Sequence, residues 1–429
     1  MTVPGVTVTG PPTVLASRYD VTGLAAEAVA WAASGAAELL AARNEEPPRA
    51  VTVDRLAACA AFAGERLLRP IGWTLPPIWD PLAGDYRTAD GWVRLHTNYP
   101  HHRAAVNAGL GLPPDCSSRD VVAAAVSGRP ADEVEAVVVQ AGGPAAALHP
   151  QAAWEVATVR EGTSVEPAPT AQLTLPPATL PFAGVRVLDL TRVIAGPVAT
   201  RYLAAYGADV LRIDPPDFPE VPALLPEVTP GKRCAGLDLR ADRDAFLRLV
   251  RQAHVLVCGL RSGALDRLGL SVAELRSIHP GLITARLNAY GWSGPWTDRR
   301  GFDSLVQMSC GIAYLDEDTP PSPLPVQALD HATGYALAGW IGRSLAEQLL
   351  SGRPSDIRTS LVATAAALTD RARPAAGPGE IDWPDTLFET TGTAWGPVRR
   401  VRVPGAIEGV TPRWAVDAGP LGRHRASFG

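Results

Sequence analysis

Residues 185–214 read VRVLDLTRVIAGPVATRYLAAYGADVLRID, and this stretch decides the fold. VRVLDLTRV (185–193) is a near-continuous apolar run of β type. AGPVATRYLAAYG (195–207) is helical and is stopped by Gly207. ADVLRID (208–214) is a second strand. The alternation continues with AGLDL (235–239), a helix over 242–253 and HVLVCGL (254–260). A helix over 271–279 follows, its Ser271 and Glu274 in capping-box spacing, and then LITARLNAYG (282–291). Apolar strands separated by helices predict an α/β architecture: a Rossmann-like parallel sheet covered on both faces. Ligands of such sheets bind at the carboxyl ends of the strands.

The flanking segments read differently. Residues 1–163 begin with an Ala-rich helix over 20–43 and helical style over 51–68. DYRTADGWVRLHT (85–97) carries a hairpin signal at Asp90-Gly91, and 118–161 looks helical. A smaller α+β domain is expected there. Residues 164–181 are Pro-rich and without period, a linker or strap. The Rossmann-like unit then covers 182–353, and 354–429 reads as a wrapping C-terminal tail with short β-prone pieces such as PVRRVRV.

The chain has 429 residues, a formal net charge of −5 and 19% charged residues, so it lacks the basic footprint of a nucleic-acid binder. Lys232 is the only lysine; the remaining basic residues are Arg, as a GC-rich genome would give. No apolar run reads as long enough to span a bilayer, and MTVPGVTVTGPPTV lacks the pattern of a signal peptide. The five cysteines are scattered, which fits a reducing cytoplasm and no zinc site. His96, His101 and His102 have no acidic or Cys partner in register, so they read as surface or packing residues rather than metal ligands.

There is no P-loop, no GxGxxG after a strand and no GxSxG elbow. TRVIAGPVAT (191–200) is the first strand-to-helix turn of the sheet, and its free amides suit a phosphate or carbonyl oxygen. A plain structural turn explains it equally. Lys232, Arg233, Arg261 and Arg267 stand in loops that could form a basic rim for an anion; solvated or capping charges are the simple alternative. Asp330 precedes Gly334 at the start of a helix and by itself reads first as an N-cap. Its chemical reading is a carboxylate nucleophile toward a thioester.

Several ordered motifs then narrow the reading. PFAGVRVLDLTRVIAGPVATRYLAAYGADVLRIDPP (181–216), GKRCAGLDL (231–239), VLVCGLRSGALDRLGLS (255–271), GFDSLVQMSCG (301–311) and VQALDHATGYALAG (326–339) together resemble the family III CoA-transferases. That group includes formyl-CoA transferase, carnitine CoA-transferases and α-methylacyl-CoA racemase. The resemblance implies coenzyme A, as an acyl-CoA substrate, and a catalytic aspartate at Asp330. It implies CoA contacts at Arg192, Val193, Ile194, Ala195, Lys232, Leu260, Arg267, Leu268 and Arg300, with Arg233 beside Lys232. Asp303, His331 and Gly334 are supporting positions, and no metal is implied. Phe302 stands where the family's racemases carry a His, which disfavours racemisation.

The order of the parts departs from the family. The segments resembling its small domain, DPLAGDYRTADGWVRLHTN (80–98) and ADEVEAVVVQAGGPAAALHPQAAW (131–154), precede the Rossmann-like part instead of following it. LASRYDVTGLAAEAVAW (15–31) echoes LPVQALDHATGYALAGW (324–340). The chain thus resembles an internal duplication with complementary losses, in which Asp20 is a relic of a second catalytic loop. The function so implied is CoA transfer from an acyl-CoA to a carboxylic acid. Lyase or hydratase chemistry on the same site is the alternative, as is a degenerate CoA-thioester binding protein. The family's ring dimers imply a homodimer, whereas a chain with parts of two protomers can also close as a monomer.

Overall fold

The computed structural model describes residues 5–157, 160–316, 318–374 and 381–429. Parts of the expected 118–161 helical region and of the tail, residues 158–159 and 375–380, lie outside them. The centre is a seven-stranded sheet. Its strands are β1 (Ser164–Pro167), β2 (Arg186–Leu190), β3 (Asp209–Asp214), β4 (Lys232–Gly236), β5 (Val255–Cys258), β6 (Ile283–Asn288) and β7 (Ser355–Ser360). Their order is β4-β3-β2-β5-β6-β7-β1. All pairs are parallel except the edge pair of β7 and β1. The order reverses between β2 and β5, and loops diverging there open a crevice at the carboxyl ends of these strands. Strands β2 and β5 are apolar on both faces because helices cover both, as the sequence predicts.

Three expectations need correction. Strand β7 was read as tail, yet it pairs with β6 from Thr284↔Asp356 to Asn288↔Ser360. The Pro-rich strap contributes β1, so part of the linker is sheet edge. The expected tail otherwise wraps: Phe388–Thr391 and Val398–Val401 form a small sheet with Arg69–Pro70. VTVD (51–54) is a strand before the helix Arg55–Phe62, not helix throughout.

Four helices matter for the site: α1 (Val21–Asn44), α2 (Ala195–Ala205), α3 (Asp303–Ser309) and α4 (Ala328–Ser351). The two 24-residue helices α1 and α4 lie against each other with their backbones nearly touching. A Cβ on Gly35 would sit 2.3 Å from the Gly339 carbonyl oxygen, and one on Gly339 would sit 2.4 Å from that of Trp31. Glycine alone permits this approach. Beside it the Trp31 and Trp340 rings lie 4.7 Å apart. Contrary to the composition reading, α1 is long and apolar enough to cross a bilayer; it is instead mostly buried inside the fold. The echo in sequence is therefore an echo in space: the two copies of one helical pattern form the central helix pair.

Residues 84–147 form the smaller α+β unit. Gly84–Arg87 and Trp92–Leu95 make the hairpin expected at Asp90-Gly91, and Ala145–Ala147 adds a third strand. The helices Pro100–Leu110 and Ala131–Gln140 bring Val106, Val134 and Val138 onto Val93 and Leu95 to close a separate core. This unit docks onto the crevice. Arg299 pairs with Glu135 at 2.5 Å, Arg300 Nε donates to the Gly142 carbonyl at 2.9 Å, and the Tyr99 hydroxyl donates to Glu220.

Candidate active site

The loop from β2 into α2 forms one wall. Asp189, at the end of β2, is wholly buried and accepts the Thr191 N–H at 2.9 Å and the Thr200 hydroxyl at 2.6 Å. These bonds fold Thr191–Ile194 back over the strand end. Gly196 packs so tightly that a Cβ would sit 2.3 Å from the Thr191 Cβ. Val193 sits at φ 65°, a region hostile to a β-branched residue. Its N–H is held by Glu220 Oε2 at 3.1 Å. Strain of this kind persists only where surrounding contacts over-determine it, and it gathers at functional sites.

The second wall is the first turn of α4. Gly334 lets α4 approach α2: a Cβ there would meet the Ala195 carbonyl oxygen at 2.4 Å. Asp330, one turn earlier, therefore faces the strained loop. It is 8% exposed, and among the described residues its carboxylate has no hydrogen-bond partner. Its backbone N–H, with that of Leu329, donates to Asp303 Oδ2 at 3.0 and 2.8 Å. Asp303, in the first turn of α3, thus does the capping that a helix-start Asp would otherwise do for itself. Burial, then the Asp303 and Glu65 charges, push the Asp330 carboxyl well above the usual carboxylate range. Asp303 is raised too, chiefly by burial.

A third carboxylate comes from the N-terminal part. Glu65 Oε2 lies 3.0 Å from His331 Nε2, both side chains buried. Burial pushes the Glu65 carboxyl up, but the facing His331 outweighs it and holds Glu65 below its ordinary value.

Two connected spaces meet at Asp330. The larger is a cleft of about 510 Å³ at the switch point, walled by Arg192, Val193, Ala195, Leu260, Arg300 and Asp330. The smaller is a chamber of about 60 Å³ that shares Val193, Phe302 and Asp330 with the cleft and adds Ile194 and Asp303. So the structure brings together Asp330, Asp303, the 192–195 loop, Leu260 and Arg300. Arg240 and Arg261 add two more cations to the cleft wall.

It does not bring in Lys232 or Arg233. The parallel register sets Lys232 beside Val210 and Arg233 beside Leu211, at the amino end of the sheet. Lys232 is fully buried, with Nζ 3.1 Å from both Asp189 Oδ2 and the Pro197 carbonyl oxygen. Burial pulls its pKa down to about 8. Arg233 pairs with Asp209. Arg267 is exposed in the loop after β5, outside the cleft wall, and Leu268 packs on the core beneath it.

Sequence reasoning missed the contributions of the smaller unit. Tyr99, His101 and His102 line the cleft, His101 from an exposed position and His102 packed among neighbouring rings, so these surface and packing residues also form its wall. Burial pulls His102 down to about 2, with His101 next in effect. His96 does pack: its ring stacks on Phe302 at 3.6 Å, and burial lowers it to about 3. Nothing local in LHTNYPHH signals the cleft, because the partners are some 200 residues away. Among the described residues no group of three or more His, Cys, Asp or Glu side chains is arranged to hold a metal ion.

Chemically, the site combines a secluded carboxylate without a partner, a cleft with four arginines for an anion and a small chamber on the carboxylate's far side. Residues 182–380 match the model of CoA-transferase family III. The chain is 32% identical over 206 residues to a probable fatty acyl-CoA transferase of Mycobacterium tuberculosis, covering 44% of this chain and 52% of that protein. It is 34% identical over 220 residues to the succinyl-CoA–L-malate CoA-transferase beta subunit of Chloroflexus aurantiacus, covering 46% and 53%. It is 29% identical over 264 residues to a formyl-CoA:oxalate CoA-transferase of Streptomyces avermitilis, covering 57% and 62%. The chain thus spans about half the length of these relatives.

Proposed function

We propose that this chain, whose residues 182–380 match CoA-transferase family III, moves CoA from an acyl-CoA to a carboxylic acid, with Asp330 as nucleophile. The observation that carries the proposal is the state of Asp330: buried, unpartnered and on the wall common to cleft and chamber. CoA lies in the cleft, its phosphates toward Arg192, Arg240, Arg261 and Arg300, with the thioester at Asp330.

The ionised Asp330 carboxylate attacks the thioester carbonyl. A C–O bond forms, the C–S bond breaks and CoA thiolate leaves, giving an acyl-aspartyl anhydride. The thiolate then attacks the Asp330 carbonyl carbon of the anhydride and expels the donor's carboxylate. The acceptor carboxylate attacks the resulting aspartyl-CoA thioester, and the returning thiolate takes the new acyl group from the second anhydride. Each intermediate is destroyed by water, so the depth of Asp330 between two packed helices is part of the chemistry. Asp303 acts by position: it holds the amides of residues 329 and 330 and leaves the Asp330 carboxylate free.

One chain supplies both sides of the cleft, Tyr99 and His102 from the smaller unit and Leu260 from the loop after β5, which supports a site completed within one copy. Five free thiols support a reducing compartment, the cytoplasm. The test is mass spectrometry after acyl-CoA and hydroxylamine. A hydroxamate at Asp330, lost together with turnover in Asp330→Ala, is the expected result; full turnover in that variant sinks the proposal.

A further inference from the structure

We infer that the acyl group handled beside Asp330 is short and uncharged, of about two to four carbons. The inference rests on Asp330 being the nucleophile, since only then does the chamber receive the acyl chain. With CoA filling the larger cleft, the thioester carbonyl at Asp330 directs its substituent into the space of about 60 Å³ beyond. A buried water needs about 10–15 Å³ on the same scale, so the chamber holds roughly four to six non-hydrogen atoms. An acetyl group brings three such atoms, a butyryl group five and a hexanoyl group seven, about one methylene pair too many.

The walls select against charge as well as length. Ile78, Trp79, Ile194 and Leu224 supply apolar surface. Glu65, Asp303 and Asp330 supply three carboxyl groups. A second carboxylate on the acyl chain would be set beside Glu65 and Asp303, and like charges so placed repel. The cations nearby do not offset this. His331 is engaged with Glu65. Arg66 is exposed and donates to the Pro325 carbonyl. His96 is held neutral by burial. The outer wall is braced, since Trp79 lies edge-on to His96 at 5.7 Å with the Arg94 guanidinium 5.5 Å from its ring. Donor and acceptor acids take turns in the same chamber, so the limit applies to both.

The test is a donor series of acetyl-, butyryl-, hexanoyl-, octanoyl- and succinyl-CoA, with isotopically labelled acetate as acceptor and kcat/KM read from labelled acetyl-CoA. Acetyl- and butyryl-CoA are expected to serve well, with kcat/KM falling about tenfold or more for each further methylene pair. Succinyl-CoA is expected at least tenfold below butyryl-CoA. Trp79→Ala, and separately Ile78→Ala, are expected to raise the ratio of hexanoyl- to butyryl-CoA kcat/KM toward one. Hexanoyl- or succinyl-CoA equal to butyryl-CoA in the unaltered protein overturns the chamber inference and leaves the transferase reading standing. No transfer from any donor, with no label on Asp330, overturns both.

Discussion

Gly334 and Ala195 define how close α4 comes to α2 and the loop before it: a Cβ on residue 334 would lie 2.4 Å from the Ala195 carbonyl oxygen and 2.8 Å from the Val198 Cβ. Backbone cannot yield as a flexible side chain can. Gly334→Ala must therefore push α4 off α2 and carry Asp330 with it. Overpacking of this kind costs about 1–3 kcal/mol, and a displacement near 1 Å can cost about a hundredfold in rate. Thermal melting and steady-state kinetics are expected to show a moderate fall in Tm with a disproportionate fall in kcat.

Asp330 also links activity to stability with opposite signs. Burial and the Asp303 charge raise its folded-state pKa, so the protonated form stabilises the fold and that contribution is lost as pH rises toward the raised pKa. Asp330→Asn removes the buried charge. Its stability advantage is expected to be absent near pH 4, the ordinary carboxyl value, and to grow with pH above it. Transfer, by contrast, needs the ionised form, so kcat in the unaltered protein rises with pH through the same titration. Melting curves of both proteins across pH check the first expectation, and a pH–rate profile the second. An Asn variant less stable than the parent at pH 8 would contradict this account.

Lys232 separates two readings of one residue. The family resemblance puts CoA there, whereas the structure buries Nζ against Asp189 and Pro197, beneath the 191–195 loop. Lys232→Met leaves the Asp189 carboxylate buried without its cation, a loss of about 3–5 kcal/mol. The expected result is a large fall in Tm, partly restored by Asp189→Asn in the same chain, with CoA affinity of the folded protein changed less than about tenfold. Calorimetry showing a greater loss of affinity at unchanged Tm would return Lys232 to the CoA site.

What the sequence made legible follows from where the information sits. Strands β2, β3 and β5 are buried on both faces, so their apolar runs announce them. Strand β7, SDIRTS, is equally buried but polar, because Asp356 is satisfied across the sheet by Thr284 at 2.7 Å and Arg286 at 3.1 Å. No local pattern encodes that pairing. Asp330 stood out through its motif, and the structure puts it on the cleft wall. Glu65, His96, Tyr99 and His102 were not, because their role depends on a docking between segments far apart in the chain. The burial of Lys232 was not legible because its register in the sheet, not its place before a strand, decides where its ammonium points.

The two echoed aspartates give the last prediction. Asp20 is the N-cap of α1, whereas Asp330 is the third residue of α4, and the Asp20 carboxylate is fully engaged: Oδ1 accepts the Gly23 N–H at 2.7 Å, and Oδ2 lies 2.9 Å from Arg371 Nε. Arg371 also binds Glu27, which fixes the cap from outside. A carboxylate neutralised by an arginine and spent on a helix N-terminus is a poor nucleophile. Asp20 is thus a structural cap, whereas the Asp330 carboxylate is left free because Asp303 takes the amides of residues 329 and 330. Asp20→Ala is expected to lower stability by about 1 kcal/mol, the usual worth of an N-cap, and to leave kcat within about twofold. Hydroxylamine trapping should modify Asp330 alone in both proteins. A hydroxamate at Asp20, or loss of turnover in Asp20→Ala without loss of fold, would show that the second copy still takes part in the reaction.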